Sequence, residues 1–91
     1  MTTRLLILGH ETYLPVTTGT ATSVSEARVV RLFNNSTDAR VVSIVETQGG
    51  TGIGSFTLPG KSVEILEKKY THCIFASSAN SVFATKVGFT N

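Results

Sequence analysis

Few side chains in this sequence can do chemistry: one cysteine, Cys73, two histidines, His10 and His72, and six acidic residues. A thiol becomes a nucleophile or a ligand only beside a base or a cation that stabilises its thiolate. His72 is next to Cys73 in sequence, and neighbours on a strand point to opposite faces, so the two cannot serve one centre or one metal ion without a kink. His10 has no flanking pattern that would hold it against the thiol. Glu64 and Glu67 are separated by an odd number of positions and fall on opposite faces of a strand, while Asp38 lies in a predicted turn. Paired-carboxylate chemistry therefore lacks its two groups on one face. The run Gly49-Gly50-Thr51-Gly52-Ile53-Gly54 contains a Gly-x-Gly element, but phosphate-binding versions need a helix after it. Here Ser55-Phe56-Thr57-Leu58 reads as a strand and then meets Pro59, which is hairpin chemistry. The expectation is a protein without catalytic residues, metal or cofactor.

Charge points the same way. Eight Lys and Arg against six acids leave a net charge of +2, too little for a nucleic-acid footprint. The densest cluster, Glu67-Lys68-Lys69, includes an acid and reads as a charged strand end. A single-stranded nucleic-acid-binding barrel would need aromatics interleaved with cations on one sheet face. Arg31 and Phe33 share a face, but Tyr13, Phe56, Tyr70, Phe75, Phe83 and Phe89 scatter through the strands, and core packing is their expected role. The N-terminal run Leu5-Leu6-Ile7-Leu8 is too short for a signal-peptide core or a membrane span. With a single cysteine no intrachain disulfide can form, so the fold must stand on packing, helped by neighbouring subunits if any.

The elements that position these residues are strands. Of 91 residues, 10 are Val, 5 Ile and 14 Thr, with 41% hydrophobic and 15% charged overall, a β-branched bias that favours sheets. Surface scaling lets a chain of this size bury roughly 64% of its extended surface, enough for one core and no second. Apolar runs bounded by Gly, Pro, Asn, Asp or Ser predict strands at 4–9, 11–16, 27–34, 40–47, 53–58, 62–68, 71–76 and 82–90. The fold expected is all-β: one domain over residues 1–91, an antiparallel β-sandwich or barrel-like unit of seven to eight short strands. Asn34-Asn35-Ser36-Thr37-Asp38 reads as a reversal, Gln48 to Gly52 as a glycine turn, and Leu58-Pro59-Gly60-Lys61 as a type II turn with Gly60 at its third position. With these three as hairpins, residues 27–68 form an antiparallel meander. Residues 17–26 lack a strand pattern and read as a surface excursion. Ser23 with Glu26 resembles a capping box, and a short helix at 23–27 is the minor alternative.

Several strands are apolar on both sides. In 27–34 one face reads Val30, Leu32 and the other Val29, Arg31, Phe33; in 40–47 the faces read Val42, Ile44 and Val41, Val45. Either these strands are covered on both sides within the fold, or one face docks on another protein.

Three runs carry a resemblance: Ala27-Arg28-Val29-Val30-Arg31-Leu32-Phe33-Asn34-Asn35, Gly54-Ser55-Phe56-Thr57-Leu58-Pro59-Gly60-Lys61-Ser62, and Leu66-Glu67-Lys68-Lys69-Tyr70-Thr71-His72-Cys73-Ile74-Phe75-Ala76-Ser77. Together they resemble the small β-structured virion proteins of tailed, particularly marine, bacteriophages that sit on the outside of the particle. Where a Pro and Asp turn would be expected after the Lys-Lys pair, this chain has Tyr70 and His72. The resemblance implies a non-enzymatic structural protein located on the virion and made in the host cytoplasm. Its partners would be the major capsid protein or other virion proteins, and it would be oligomeric on the particle, with no nucleic acid and no membrane. A capsid decoration or cement protein is the first expectation; a tail- or fibre-associated domain contacting the host surface is the second. The docking candidates are the N-terminal strand, Arg4, Leu5, Leu6, Ile7 and Leu8, able to add to a neighbour's sheet edge, and the excursion residues Thr17, Thr18, Thr20, Thr22 and Ser23.

Overall fold

A computed structural model describes residues 4–90; residues 1–3 and 91 of the expected 1–91 domain lie outside the described residues. The described residues form eight strands: β1 (Arg4–Ile7), β2 (Thr12–Tyr13), β3 (Val29–Asn34), β4 (Arg40–Val45), β5 (Gly52–Leu58), β6 (Val63–Glu67), β7 (Cys73–Ala76) and β8 (Val82–Thr90). Each overlaps one strand expected from the apolar runs. They build two antiparallel sheets that do not close into a barrel. Sheet A runs β1-β8-β3-β6, with β2 pairing β8 beyond the end of β1, and sheet B runs β5-β4-β7.

The expected meander does not form. Only the glycine turn between β4 and β5 makes a hairpin, with β3 pairing β6 and β8 while β4 pairs β5 and β7. The segments after β3 and after β5 each cross from one sheet to the other. The reason lies in Asn34, which is fully buried. Its Nδ2 donates to the carbonyls of Asp38 and Leu58, both at 2.9 Å, and its Oδ1 accepts from the amide and hydroxyl of Ser36. One side chain thus satisfies backbone groups of both crossovers, which a simple hairpin would have left to its own ladder. The second crossover also departs from expectation. Positive φ falls on Lys61 (58°), not Gly60, and the turn closes from the Ser62 amide to the Pro59 carbonyl. Gly60 is needed for space: a Cβ there would collide with the Thr37 carbonyl of the other crossover.

Alternation divides each strand between core and surface. Val30 and Leu32 of β3 and Val82 and Ala84 of β8 face Val42, Leu58, Ile74 and Ala76 from sheet B, all buried, with Phe56 and Leu66 at the margin. The residues between β2 and β3 are less of an excursion than expected. After a 3-10 turn at Thr18–Thr20, Ala21 is buried against Val45 and Cys73, and Thr22 exchanges two backbone hydrogen bonds with Ile74. The expected Ser23–Glu26 contact exists, Ser23 Oγ accepting from the Glu26 amide at 3.0 Å. The turn it closes is left-handed, with φ of 56°, 55° and 57° at Val24, Ser25 and Glu26, so no right-handed helix starts there.

Candidate docking surface

The residues singled out for chemistry are dispersed. Cys73 is buried at the start of β7, His10 is exposed between β1 and β2, and His72 sits in the turn before Cys73. Glu64 and Glu67 lie on opposite faces of β6, opposite Leu32 and Val29 in the register. Among the described residues no group of three or more His, Cys, Asp or Glu side chains is placed to hold a metal ion. Lys68 is the exception in the cluster read as a charged strand end: it is buried, and its Nζ donates to the carbonyls of Ala27 at 2.7 Å and His72 at 2.8 Å. Burial holds its ammonium below the ordinary lysine value of 10.5, the nearby Cys73 acting in the opposite sense. This lysine ties the β6–β7 crossover to the start of β3, and nothing in the local sequence distinguishes it from Lys69.

The feature that stands out is apolar surface left uncovered by a two-layer fold. The aromatic residues expected in the core are largely outside it, because the interior between the sheets is filled by Val, Leu, Ile and Ala. In the register Tyr13, Phe83, Phe33 and Val63 lie side by side across four strands of sheet A, on the face turned away from sheet B. Tyr13 stacks on Phe83 with ring centroids 4.1 Å apart. The neighbouring row holds Thr85, Arg31 and Ile65, and the next Ile7, Val87, Val29 and the charged Glu67; Thr85 and Val87, in the middle of the sheet, are buried by their neighbours. Arg31 on this face is paired with Glu11 at 3.6 Å, which leaves less free cation for a phosphate backbone.

At one end this sheet narrows to a ribbon. Val87 pairs both Val29 of β3 and Ile7 of β1, but Gly88, Phe89 and Thr90 pair only β1. Beyond Val87, therefore, β1 and β8 run as two strands alone. Two-stranded ribbons are marginal in water unless a face is covered, and this one is apolar on both faces. Leu5 and Phe89 (41% and 50% exposed) lie on one side and Leu6 (45%) on the other, and the exposed Ile7 and Leu8 (59% and 49%) follow where β3 joins the sheet. The expected docking residues Arg4, Leu5, Leu6, Ile7 and Leu8 are thus all exposed, the first four on edge strand β1 and Leu8 just past its end. Phe89 belongs with them and was not singled out in the sequence; its cross-strand pairing with Leu5 depends on the register of strands from opposite ends of the chain.

The second expected set divides. Thr17, Thr18 and Thr20 are exposed on the 3-10 turn, with the Thr17 and Thr20 hydroxyls 2.7 Å apart. Thr22 and Ser23 are half-buried and occupied in local structure, Thr22 through its bridge to Ile74. Thr20 and Thr22 also line an open groove of about 520 Å³ with Tyr13, Pro15, Val16 and Asn80.

No family model matches the chain, and no curated protein or solved structure is similar to it at the threshold of significance. Among the described residues no helix is long and apolar enough to cross a membrane.

Proposed function

We propose that this chain is a non-enzymatic structural protein of a virion, a decoration or cement protein that lies on the outer shell and bridges adjacent capsid proteins. The observation that carries its docking role is the β1–β8 ribbon, a projecting two-stranded element with large apolar side chains exposed on both faces. Exposed apolar groups concentrated on a protruding edge fit a surface that is covered in the working assembly. The virion setting rests on the resemblance carried by residues 27–35, 54–62 and 66–77. Many weak contacts arrayed on a shell would add through avidity, which suits a small domain with a short docking element.

Quantitative mass spectrometry of purified particles tests the setting. A copy number equal to the major shell protein, or a simple fraction of it, is expected; absence from particles would remove the reading. Removing residues 1–9 tests the docking element: binding to shells lacking this protein should be lost while sheet B and the core persist. Unchanged binding would refute the role given to the ribbon.

A tail or fibre location is the second reading, favoured by the groove beside Tyr13. Its lining is uncharged and mixed, the Tyr13 ring, Pro15 and Val16 beside threonine hydroxyls and the Asn80 amide, a chemistry compatible with the apolar faces and hydroxyls of neutral glycans. A copy number far below that of the shell protein would favour it.

A further inference from the structure

We infer that the free edge of β1 takes a second copy of this chain, in antiparallel β1–β1 pairing with Leu6 on the two-fold axis. The inference rests on the ribbon's docking role and names the occupant of its edge, leaving its two faces for the shell.

Backbone geometry sets the register. The Leu8 amide donates to the Lys86 carbonyl at 2.9 Å, and β1 pairs β8 as Arg4 with Thr90 and Leu6 with Gly88. In an antiparallel ladder the hydrogen-bonded residues alternate, so Arg4, Leu6 and Leu8 turn their amides and carbonyls toward β8. Leu5 and Ile7 turn theirs outward, to the free edge. A second β1 brought alongside in antiparallel sense can use both only if Leu5 of one copy faces Ile7 of the other. Each such pair exchanges two hydrogen bonds, and symmetry gives two pairs. Leu6 then faces Leu6 of the second copy. Leu5 and Ile7 fall on the same face of the joined sheet as Phe89, and Leu6 and Leu8 on the other.

Charge favours this partner. The β1 segment carries one charged residue, Arg4, at its end. The two-fold register sets the two arginines at opposite ends of the joint, each facing Leu8 of the second copy, so no like charges meet. The other sheet edges are less suited. β6 carries Glu64 and Glu67 among its five residues, the kind of charge that blunts an edge. β7 is already covered by Thr22 and by the Pro15 carbonyl, which accepts from Ala76, and β5 begins with two glycines in three residues, beside a register shift in its pairing with β4. β1 has no Pro, Lys or bulge to prevent pairing, and an isologous joint closes after two subunits.

Sedimentation equilibrium on the intact chain from about 1 to about 500 µM should show a monomer–dimer equilibrium. Ile7→Pro removes an amide that points only to the free edge, so it should keep the fold, read by circular dichroism, and weaken dimerisation at least tenfold. In a Cys73→Ala background, Leu6→Cys should form an intermolecular disulfide under mild oxidation, because opposed non-hydrogen-bonded residues lie about 4.5 Å apart at Cα. Leu5→Cys, whose equivalent lies two positions out of register, should not. A monomer throughout the range, cross-linking through Leu5→Cys in preference to Leu6→Cys, or assemblies growing past the dimer by pairing of β1 on β6 would each overturn the inference. A monomer that still saturates shells would remove the dimer alone, whereas a dimer that ignores shells would remove the shell reading alone.

Discussion

The amide nitrogen of Asn34 donates to the carbonyl of Leu58 at 2.9 Å across 24 residues of sequence, with both residues buried. It joins the two crossovers that carry the chain between sheets, and all four hydrogen-bonding positions of the amide are used. Asn34→Asp keeps the shape and removes both donors, leaving the Asp38 and Leu58 carbonyls against a carboxylate. We expect a loss of about 3 kcal/mol, read as a lower urea midpoint with an unchanged slope. A variant as stable as the parent would show that the clasp is dispensable.

Gly60 lies where the same crossovers approach most closely. Gly60→Ala forces a methyl group into the Thr37 carbonyl, and that backbone can yield only by pulling the crossovers apart. A cost of about 1–3 kcal/mol is expected. Gly54→Ala, with nothing within 4 Å of the added carbon, should leave the thermal midpoint unchanged or raise it slightly. Equal effects at the two positions would contradict the close approach.

The buried ammonium of Lys68 has a pH signature. Its folded value lies below 10.5, so between the two values the unfolded chain binds more protons, and stability rises with pH across that window. Below the window both states are charged and the burial penalty is constant. In Lys68→Met this alkaline rise should vanish. The variant should also lose about 1–3 kcal/mol at pH 7, since the Ala27 and His72 carbonyls lose their donor. Chemical denaturation at a series of pH values separates the two effects, and an unaltered pH slope would sink the assignment.

Three consecutive left-handed residues at Val24, Ser25 and Glu26 carry strain of roughly 1–2 kcal/mol each. Ser25 and Glu26 are exposed, so glycine there relieves strain without opening the core. Ser25→Gly is expected to raise stability by about 1 kcal/mol, and calorimetry should register a midpoint several degrees higher. A lower midpoint would mean that glycine's extra freedom in the unfolded chain outweighs the relief.

The strands were legible because Val, Ile and Thr runs are punctuated by Gly, Pro and Asn, and punctuation is local. Pairing was not, because turn chemistry does not say which sheet the next strand joins. Asn34 and Ser36 make the short-range hydrogen bonds a hairpin turn would make, while the partner that decides the topology, Leu58, is far away in sequence. Gly60 looked like a positive-φ residue and is a close-approach residue, a distinction that exists only once Thr37 is beside it. The aromatics misled for a related reason: alternation shows that Phe83 and Phe33 share a face, but only the assembled layers decide that the face is the outer one. β1 was legible as a docking candidate because four large apolar residues in succession cannot all turn inward. Phe89 was not, since its part in the ribbon depends on a register shared by strands from opposite ends of the chain.

That register governs folding as well. Every partner of β1 lies between Val87 and Thr90, so the ribbon closes a loop of nearly the whole described chain, and contacts of such long range are slow to form and late to be rewarded. The ribbon cannot be completed until residues 82–90 have been synthesised and seated against β3. On the docking role proposed for the ribbon, a nascent chain that holds β1 without β8 lacks the paired element, and assembly through it waits for the folded molecule.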